Sequence, residues 1–171
     1  MVIAWYQAAL RHREPLNTRW PMIDKIGLFK LPGHILKEKA LRRVPISFEM
    51  RQVLEELRDE QRQNKVENIN GYIFTRRDGL PIRSINTALA KALERVKLQD
   101  SGITPHSFRR ACISRWTDLG IPRDYIMLFS GHTSSSVHDS YLVFTDAMLI
   151  NQFRSAGLLL PPEQRKSVAL K

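Results

Sequence analysis

The sequence has one cysteine, few acidic residues and no long apolar run. A single cysteine, Cys112, cannot form a disulfide framework or a thiolate metal cluster, so we expect a reducing, cytoplasmic environment. No segment is apolar and long enough to cross a bilayer, and no signal-peptide pattern opens the chain. Only 17 Asp and Glu oppose 27 Lys and Arg, which gives a formal net charge of +10. This excess favours a polyanionic partner, nucleic acid first.

The rest of the composition is that of a globular chain, with 43% apolar and 8% aromatic residues. A length of 171 residues suits one domain with a sizeable core. Hydrophobic spacing and turn residues predict two strands around Pro32-Gly33 within 20–46 and a short strand over 71–74. Helices are predicted over 1–10, 48–63, 85–96, 105–120, 122–129 and 146–156, and residues 134–136 could cap a further one. Ser47 and Ser84 are the predicted N-caps of the helices over 48–63 and 85–96. We therefore predict an α+β, mostly helical fold with a small antiparallel sheet near the N-terminus.

Four polar residues in the C-terminal half stand at an informative spacing. Arg109 follows His106 by three residues, so the two side chains share one face of a helix, and Tyr141 follows His132 by nine residues. Each residue alone is more often structural: an exposed pair, a capping or core histidine, a core tyrosine. The four together, with a glycine directly before His132, form a pattern that chance rarely produces.

This pattern resembles the C-terminal catalytic domains of the tyrosine recombinases, the phage-integrase-type site-specific recombinases. Those domains carry His-x-x-Arg, then Gly-His, then a nucleophilic tyrosine nine residues after that histidine. The resemblance continues upstream, because Arg11 and Glu14 form Arg-x-x-Glu nine residues before Trp20, and Lys37 stands eight residues before Pro45.

The resemblance covers roughly residues 4–150 and implies a domain organisation. A tyrosine-recombinase catalytic-domain fold is expected over 1–160, without its first helices and the family's N-terminal core-binding domain, and a flexible tail over 161–171. Several positions depart from the family pattern. Ala9 stands where a glycine usually precedes the first arginine, Pro15 interrupts a usually apolar helix, and Ser130 replaces a leucine.

The resemblance implies cleavage and rejoining of DNA through a 3′-phosphotyrosyl intermediate, in site-specific recombination. Deprotonating a tyrosine at pH 7 costs about 4 kcal/mol, so the chemistry needs groups that stabilise negative charge. Guanidinium forks on the non-bridging phosphate oxygens supply this without a metal or other cofactor. The roles expected by resemblance are Tyr141 as nucleophile, Arg11 and Arg109 as phosphate clamps, His106 as acid/base partner of the tyrosine, His132 as phosphate hydrogen-bond donor, Lys37 as acid for the 5′ oxygen and Glu14 as support for Arg11.

Some assignments stay open at this point. Lys39 could replace Lys37, and Arg13 competes with Arg11. His132 and His138 could form a metal pair, but no third ligand stands near them in sequence. Two other functions remain: relaxation of supercoils like a type IB topoisomerase, and DNA binding by a non-catalytic integrase remnant.

The expected partner is duplex DNA, gripped mainly through its phosphates, with no membrane association. Basic residues suited to this contact are Lys39, Arg42, Arg43 and Arg110. The resemblance implies a homo-tetramer on two DNA sites, and we expect a monomer without DNA. The apolar segment 149–160 is a candidate for the C-terminal segment that such proteins often pass to a neighbour.

Overall fold

The computed structural model describes residues 1–37, 39–64, 70–132 and 145–165. Within this part of the chain lie two strands and six α-helices, which are β1 (Leu28–Leu31), β2 (Arg42–Pro45), α1 (Val2–Ala8), α2 (Phe48–Gln63), α3 (Asn86–Arg95), α4 (Pro105–Asp118), α5 (Arg123–Ser130) and α6 (Asp146–Ser155). Short 3-10 helices cover Pro15–Asn17, Trp20–Met22, Gly33–Ile35 and Pro162–Gln164. The structure confirms the α+β, mostly helical fold with a small antiparallel sheet.

Strands β1 and β2 form the antiparallel hairpin expected around the Pro32-Gly33 turn. Leu28 pairs with Pro45 at one end, and Leu31 pairs with Arg42 at the other. Gly33 is required here, because a Cβ at this position would lie 2.3 Å from the carbonyl oxygen of Lys39. The connection between the strands therefore folds back tightly on its own backbone.

Several predicted helix boundaries agree with the structure. Ser47 caps α2 as expected, with its Oγ accepting from the backbone N–H of Met50 at 3.3 Å. Ser84 is one position too early as the cap of α3: Ile85 is the N-cap residue, and the Ser84 hydroxyl accepts from the N–H of Asn86. The segment 71–74 makes an isolated bridge through Tyr72 instead of a strand, because it pairs with the irregular chain around Arg19.

The core joins the N-terminal helix to the C-terminal helices. Helix α1 packs on α4, where Trp5 is fully buried. A second aromatic group fills the centre: Phe153 of α6 meets Trp116 and Phe129 edge to face, with ring centroids 5.8 and 5.4 Å apart. Such arrangements are favoured by the aromatic quadrupole and bury large apolar areas. Helices α4, α5 and α6 are thereby held in one body.

The apolar segment 149–160 packs against its own chain through α6 and the residues that follow it. Leu149, Phe153 and Leu158 are fully buried in this chain's own core. The carbonyl oxygen of Leu158 also accepts from the backbone N–H of Phe48, at the start of α2. The apolar face of this segment is covered by its own chain, and its exchange with a neighbour on DNA stays a prediction.

No helix among the described residues is long and apolar enough to span a membrane.

Candidate active site

Three arginine side chains converge on the C-terminal end of α5. This helix ends at Gly131, whose φ of 68° is left-handed, so the last carbonyl groups lack helical partners and carry the negative end of the helix dipole. Arg42 and Arg109 donate to the carbonyl oxygen of Ser130 at 2.9 and 2.8 Å. Arg11 donates to the carbonyl oxygen of Gly131 at 2.9 Å. We call these three residues the arginine cluster.

Arg109 is the most buried of the predicted catalytic residues that the structure describes. Its side chain, on α4, is buried and also donates to the carbonyl oxygen of Ala9. Ala9 ends α1 in the left-handed region with φ of 48°, the conformation that favours the glycine usual at this position. The departure from the family pattern therefore leaves the local backbone conformation in place.

His132 lies against Arg109 and is oriented by Ser130. Its Nε2 is 3.3 Å from Nη2 of Arg109, and its Nδ1 is 2.9 Å from Oγ of Ser130. Since a guanidinium can only donate, Nε2 accepts and Nδ1 carries the proton that it donates to Ser130. The Ser130 hydroxyl can then donate to the carbonyl oxygen of Met127 at 3.3 Å. A leucine at position 130 would not provide this acceptor.

Glu14 connects the other two arginines of the cluster. Its carboxylate is buried and accepts from the backbone N–H of Arg11 at 2.6 Å and from Nη2 of Arg42. Its second oxygen lies 3.5 Å from Nη1 of Arg11. The resemblance implies that Glu14 supports Arg11, and the structure places the two in contact. Arg13, the alternative to Arg11, is exposed, and among the described residues its side chain makes no contact with the cluster.

The electrostatics of this region favour an anion. In the described part of the chain, three guanidinium groups meet one carboxylate at the end of α5, which leaves an excess of two positive charges. Arg11 is the accessible member, with 28% of its side chain exposed. Cys112, on α4, stays a neutral thiol, because burial raises its pKa to about 12. The arrangement can hold a phosphate by charge-assisted hydrogen bonds.

Two further predicted catalytic residues that the structure describes, His106 and Lys37, make no hydrogen bond to this cluster. His106 is exposed at the second position of α4, one turn before Arg109, and makes no hydrogen bond within the described residues. Lys37 and Lys39 are both exposed in the connection between the strands, and Lys39 has a φ of 55°. Tyr141 and His138 lie outside the described residues.

The structure changes the interpretation of two residues expected to grip DNA. Arg42 is only 3% exposed and is bound to Glu14 and Ser130, so it lacks the exposure that a phosphate contact requires. Arg43 points to the other side of the strand and forms an ion pair with Asp146 at 2.5 Å. Lys39 and Arg110 are exposed as expected.

Asp146, at the start of α6, is shared by two basic residues of the hairpin. Its Oδ2 lies 3.1 Å from Nζ of Lys30, and its Oδ1 contacts Arg43. Hydrogen bonds from Lys30 and Arg43 hold the pKa of Asp146 below its ordinary value. These two ion pairs attach the start of α6 to the hairpin.

The sequence interpretation assigned Arg42 to a DNA contact and did not place it in the arginine cluster. The available signal was the alternation within β2, where Arg42 and Val44 are buried and Arg43 between them is partly exposed. A metal centre finds no support in the described ranges, where no group of three or more His, Cys, Asp or Glu side chains could hold an ion.

Residues 1–147 match the sequence model described as the phage integrase family. Three solved structures share the fold. The Tn1549 transposon integrase in complex with circular intermediate DNA has a TM-score of 0.61 at 15% identity, over 89% of this chain and 55% of that one. The same integrase with transposon right end DNA scores 0.64 at 13% identity, over 91% and 57%. The XerA recombinase scores 0.62 at 16% identity, over 88% and 54%.

This chain therefore spans little more than half the length of those proteins. No curated protein matches it by sequence.

Proposed function

The chain belongs to the phage integrase family of tyrosine recombinases, and from this we propose that it cleaves and rejoins DNA strands in site-specific recombination. The observation that carries the proposal is the convergence of the arginine cluster on the end of α5, where Arg109 lies against His132. A phosphodiester bears one negative charge and gains another negative charge in the transition state of transfer. Preorganised guanidinium groups stabilise that charge with little reorganisation.

In the proposed reaction, the Tyr141 oxygen attacks the scissile phosphorus while the bond to the 5′ oxygen breaks. His106 takes the phenol proton, and Lys37 gives a proton to the leaving 5′ oxygen. Arg11 and Arg109 hold the non-bridging oxygens. The product is a 3′-phosphotyrosyl ester and a 5′-hydroxyl end, and attack by a 5′-hydroxyl on the ester reverses the step.

His132 has a defined proton state in this proposal. With Nε2 accepting from Arg109, the neutral ring has no proton to give to a phosphate oxygen. A bound phosphate that takes over the Arg109 donor would free Nε2 to receive a proton. His132 then donates to a non-bridging oxygen either as the imidazolium ion or as the neutral tautomer with its proton on Nε2, whose Nδ1 accepts from the Ser130 hydroxyl.

Binding of DNA relies on the exposed basic residues. Lys39 and Arg110 are exposed and suit phosphate contacts, whereas Arg43 is partly neutralised by its ion pair with Asp146. We propose duplex DNA as the substrate, with a tetramer on two DNA sites and a monomer without DNA. Size-exclusion chromatography with light scattering, with and without DNA, measures both states.

A covalent trapping experiment tests the proposed activity. The protein, in its natural length, is incubated with a pool of nicked duplexes of random sequence, and covalent protein–DNA adducts are isolated under denaturing conditions. We expect adducts with the wild type and with the control Tyr6→Phe, and none with Tyr141→Phe. Adducts that survive in Tyr141→Phe would contradict the assignment of the nucleophile.

The same preparation separates the two other functions. Relaxation of supercoiled plasmids of unrelated sequence would favour topoisomerase activity. Salt-sensitive DNA binding with no covalent adduct from any duplex would favour a non-catalytic DNA-binding protein.

A further inference from the structure

Arg42 is a buried cation, and a buried positive charge needs a countercharge and hydrogen-bond acceptors nearby. It is the first residue of β2, and its side chain is 3% exposed. A buried guanidinium is costly unless it is paired and hydrogen-bonded. Glu14 supplies the countercharge, and the carbonyl oxygen of Ser130 supplies a second acceptor.

The two acceptors of Arg42 are groups that also hold the two predicted phosphate clamps. Glu14 binds the backbone N–H and the guanidinium of Arg11. The Ser130 carbonyl oxygen accepts from Arg109 at 2.8 Å. Arg42 therefore shares one acceptor with each clamp: its Nη2 contacts Glu14, which binds Arg11, and its Nη1 contacts the Ser130 carbonyl oxygen, which binds Arg109.

Geometry separates this role from a DNA contact. Only 3% of the Arg42 side chain is exposed, too little for a contact with a phosphate, whereas 28% of the Arg11 side chain is exposed. Within the described residues, Nε of Arg42 is buried and has no hydrogen-bond partner.

We propose that Arg42 is a positioning residue that sets the relative placement of Arg11 and Arg109. It holds Glu14 against Arg11 and holds the Ser130 carbonyl oxygen against Arg109, and it does not touch the substrate. That this placement of Arg11 and Arg109 serves to hold a phosphate rests on the proposed function. The placement itself is a property of the protein without DNA and can be measured there.

The test uses Arg42→Leu, which keeps much of the side-chain volume and removes both contacts. The matched control is Arg62→Gln, because Arg62 is exposed and pairs only with Asp59 on the surface of α2 among the described residues. Proteins with 15N-labelled arginine report the Nε–Hε signals of Arg11 and Arg109 by NMR in the absence of DNA. Adduct formation on nicked duplexes and DNA affinity are measured separately.

We expect Arg42→Leu to shift or broaden the signals of both clamps. It should slow adduct formation by about 100-fold, because displacement of positioned groups by about 1 Å has effects of this size. The Kd for DNA should change by less than about threefold, as expected for a residue without a phosphate contact. Arg62→Gln should change neither the two signals nor the rate.

A second variant covers failure of Arg42→Leu to fold. Arg42→Lys keeps a cation beside Glu14, but its single Nζ cannot reproduce two separated Nη contacts, so at least one clamp signal must change. Unchanged Arg11 and Arg109 signals in a folded variant would overturn the proposal, and so would a loss of DNA affinity that accounts for the whole loss of rate. If the wild type forms no adduct, the proposed function fails, while the NMR comparison still decides the role of Arg42.

Discussion

Replacing Phe153 by alanine tests whether α6 belongs to the core of this chain. The ring is fully buried and meets Trp116 and Phe129 edge to face. Truncating a buried phenylalanine costs about 3–5 kcal/mol, as the sum of lost transfer free energy and the cavity left behind. Because the ring is fully buried and has two aromatic neighbours, we expect a loss of at least the middle of this range, about 4–5 kcal/mol. That is a large fraction of a typical unfolding free energy of about 5–15 kcal/mol.

The assay is urea unfolding followed by circular dichroism and by tryptophan fluorescence, which should give the same midpoint if unfolding is two-state. The control is Met148→Ala, on the same helix, because Met148 is 40% exposed. We expect this control to change the unfolding free energy by at most about 0.5 kcal/mol. A loss below about 1 kcal/mol for Phe153→Ala would refute the reasoning, because it would show that this side chain contributes little to the core of the folded chain.

Three further predictions concern the backbone, an ion pair and a histidine. Lys97 has a φ of 57° after α3, so Lys97→Gly should raise the unfolding free energy by about 1 kcal/mol in thermal melts, whereas Lys91→Gly within the helix should lower it by about 1 kcal/mol. Asp146 has a lowered pKa in the folded protein, so its contribution to the unfolding free energy is complete above the ordinary carboxyl pKa and is lost as the pH falls through the lowered value. Urea unfolding at decreasing pH should therefore show a smaller decrease in unfolding free energy for Asp146→Asn than for the wild type. Ser130→Ala removes the acceptor for Nδ1–H of His132, so 15N NMR should show a changed tautomer population, and an unchanged spectrum would contradict the hydrogen-bond assignment.

The helices could be predicted because their signals are local. Apolar spacing and a capping serine placed α2 over its observed range, and Pro105 marked the first residue of α4. The hairpin followed from Pro32-Gly33. The predicted strand over 71–74 is instead a single bridge at Tyr72, because its pairing partner around Arg19 is an irregular segment that carries no strand pattern.

The site could be predicted only in part, because burial of a charged side chain depends on partners far along the chain. The adjacent Arg42 and Arg43 look like one basic surface in the sequence, yet Arg42 is paired with Glu14, 28 residues earlier, and Arg43 with Asp146, 103 residues later. The motif spacing identified Arg11 and Arg109, but it did not indicate that both are held through carbonyl groups of the same helix end.

The use of carbonyl oxygens as anchors has an electrostatic consequence for phosphate binding. Carbonyl groups at the end of α5 fix the cluster with partial charges, and Glu14 is the one carboxylate in contact with it among the described residues. Had each guanidinium been fixed by its own carboxylate, the local charge would cancel and the attraction for a phosphodiester would vanish. A set of arginines that attracts a phosphodiester needs both features together: partners that restrict the side chains, and fewer carboxylates than guanidinium groups.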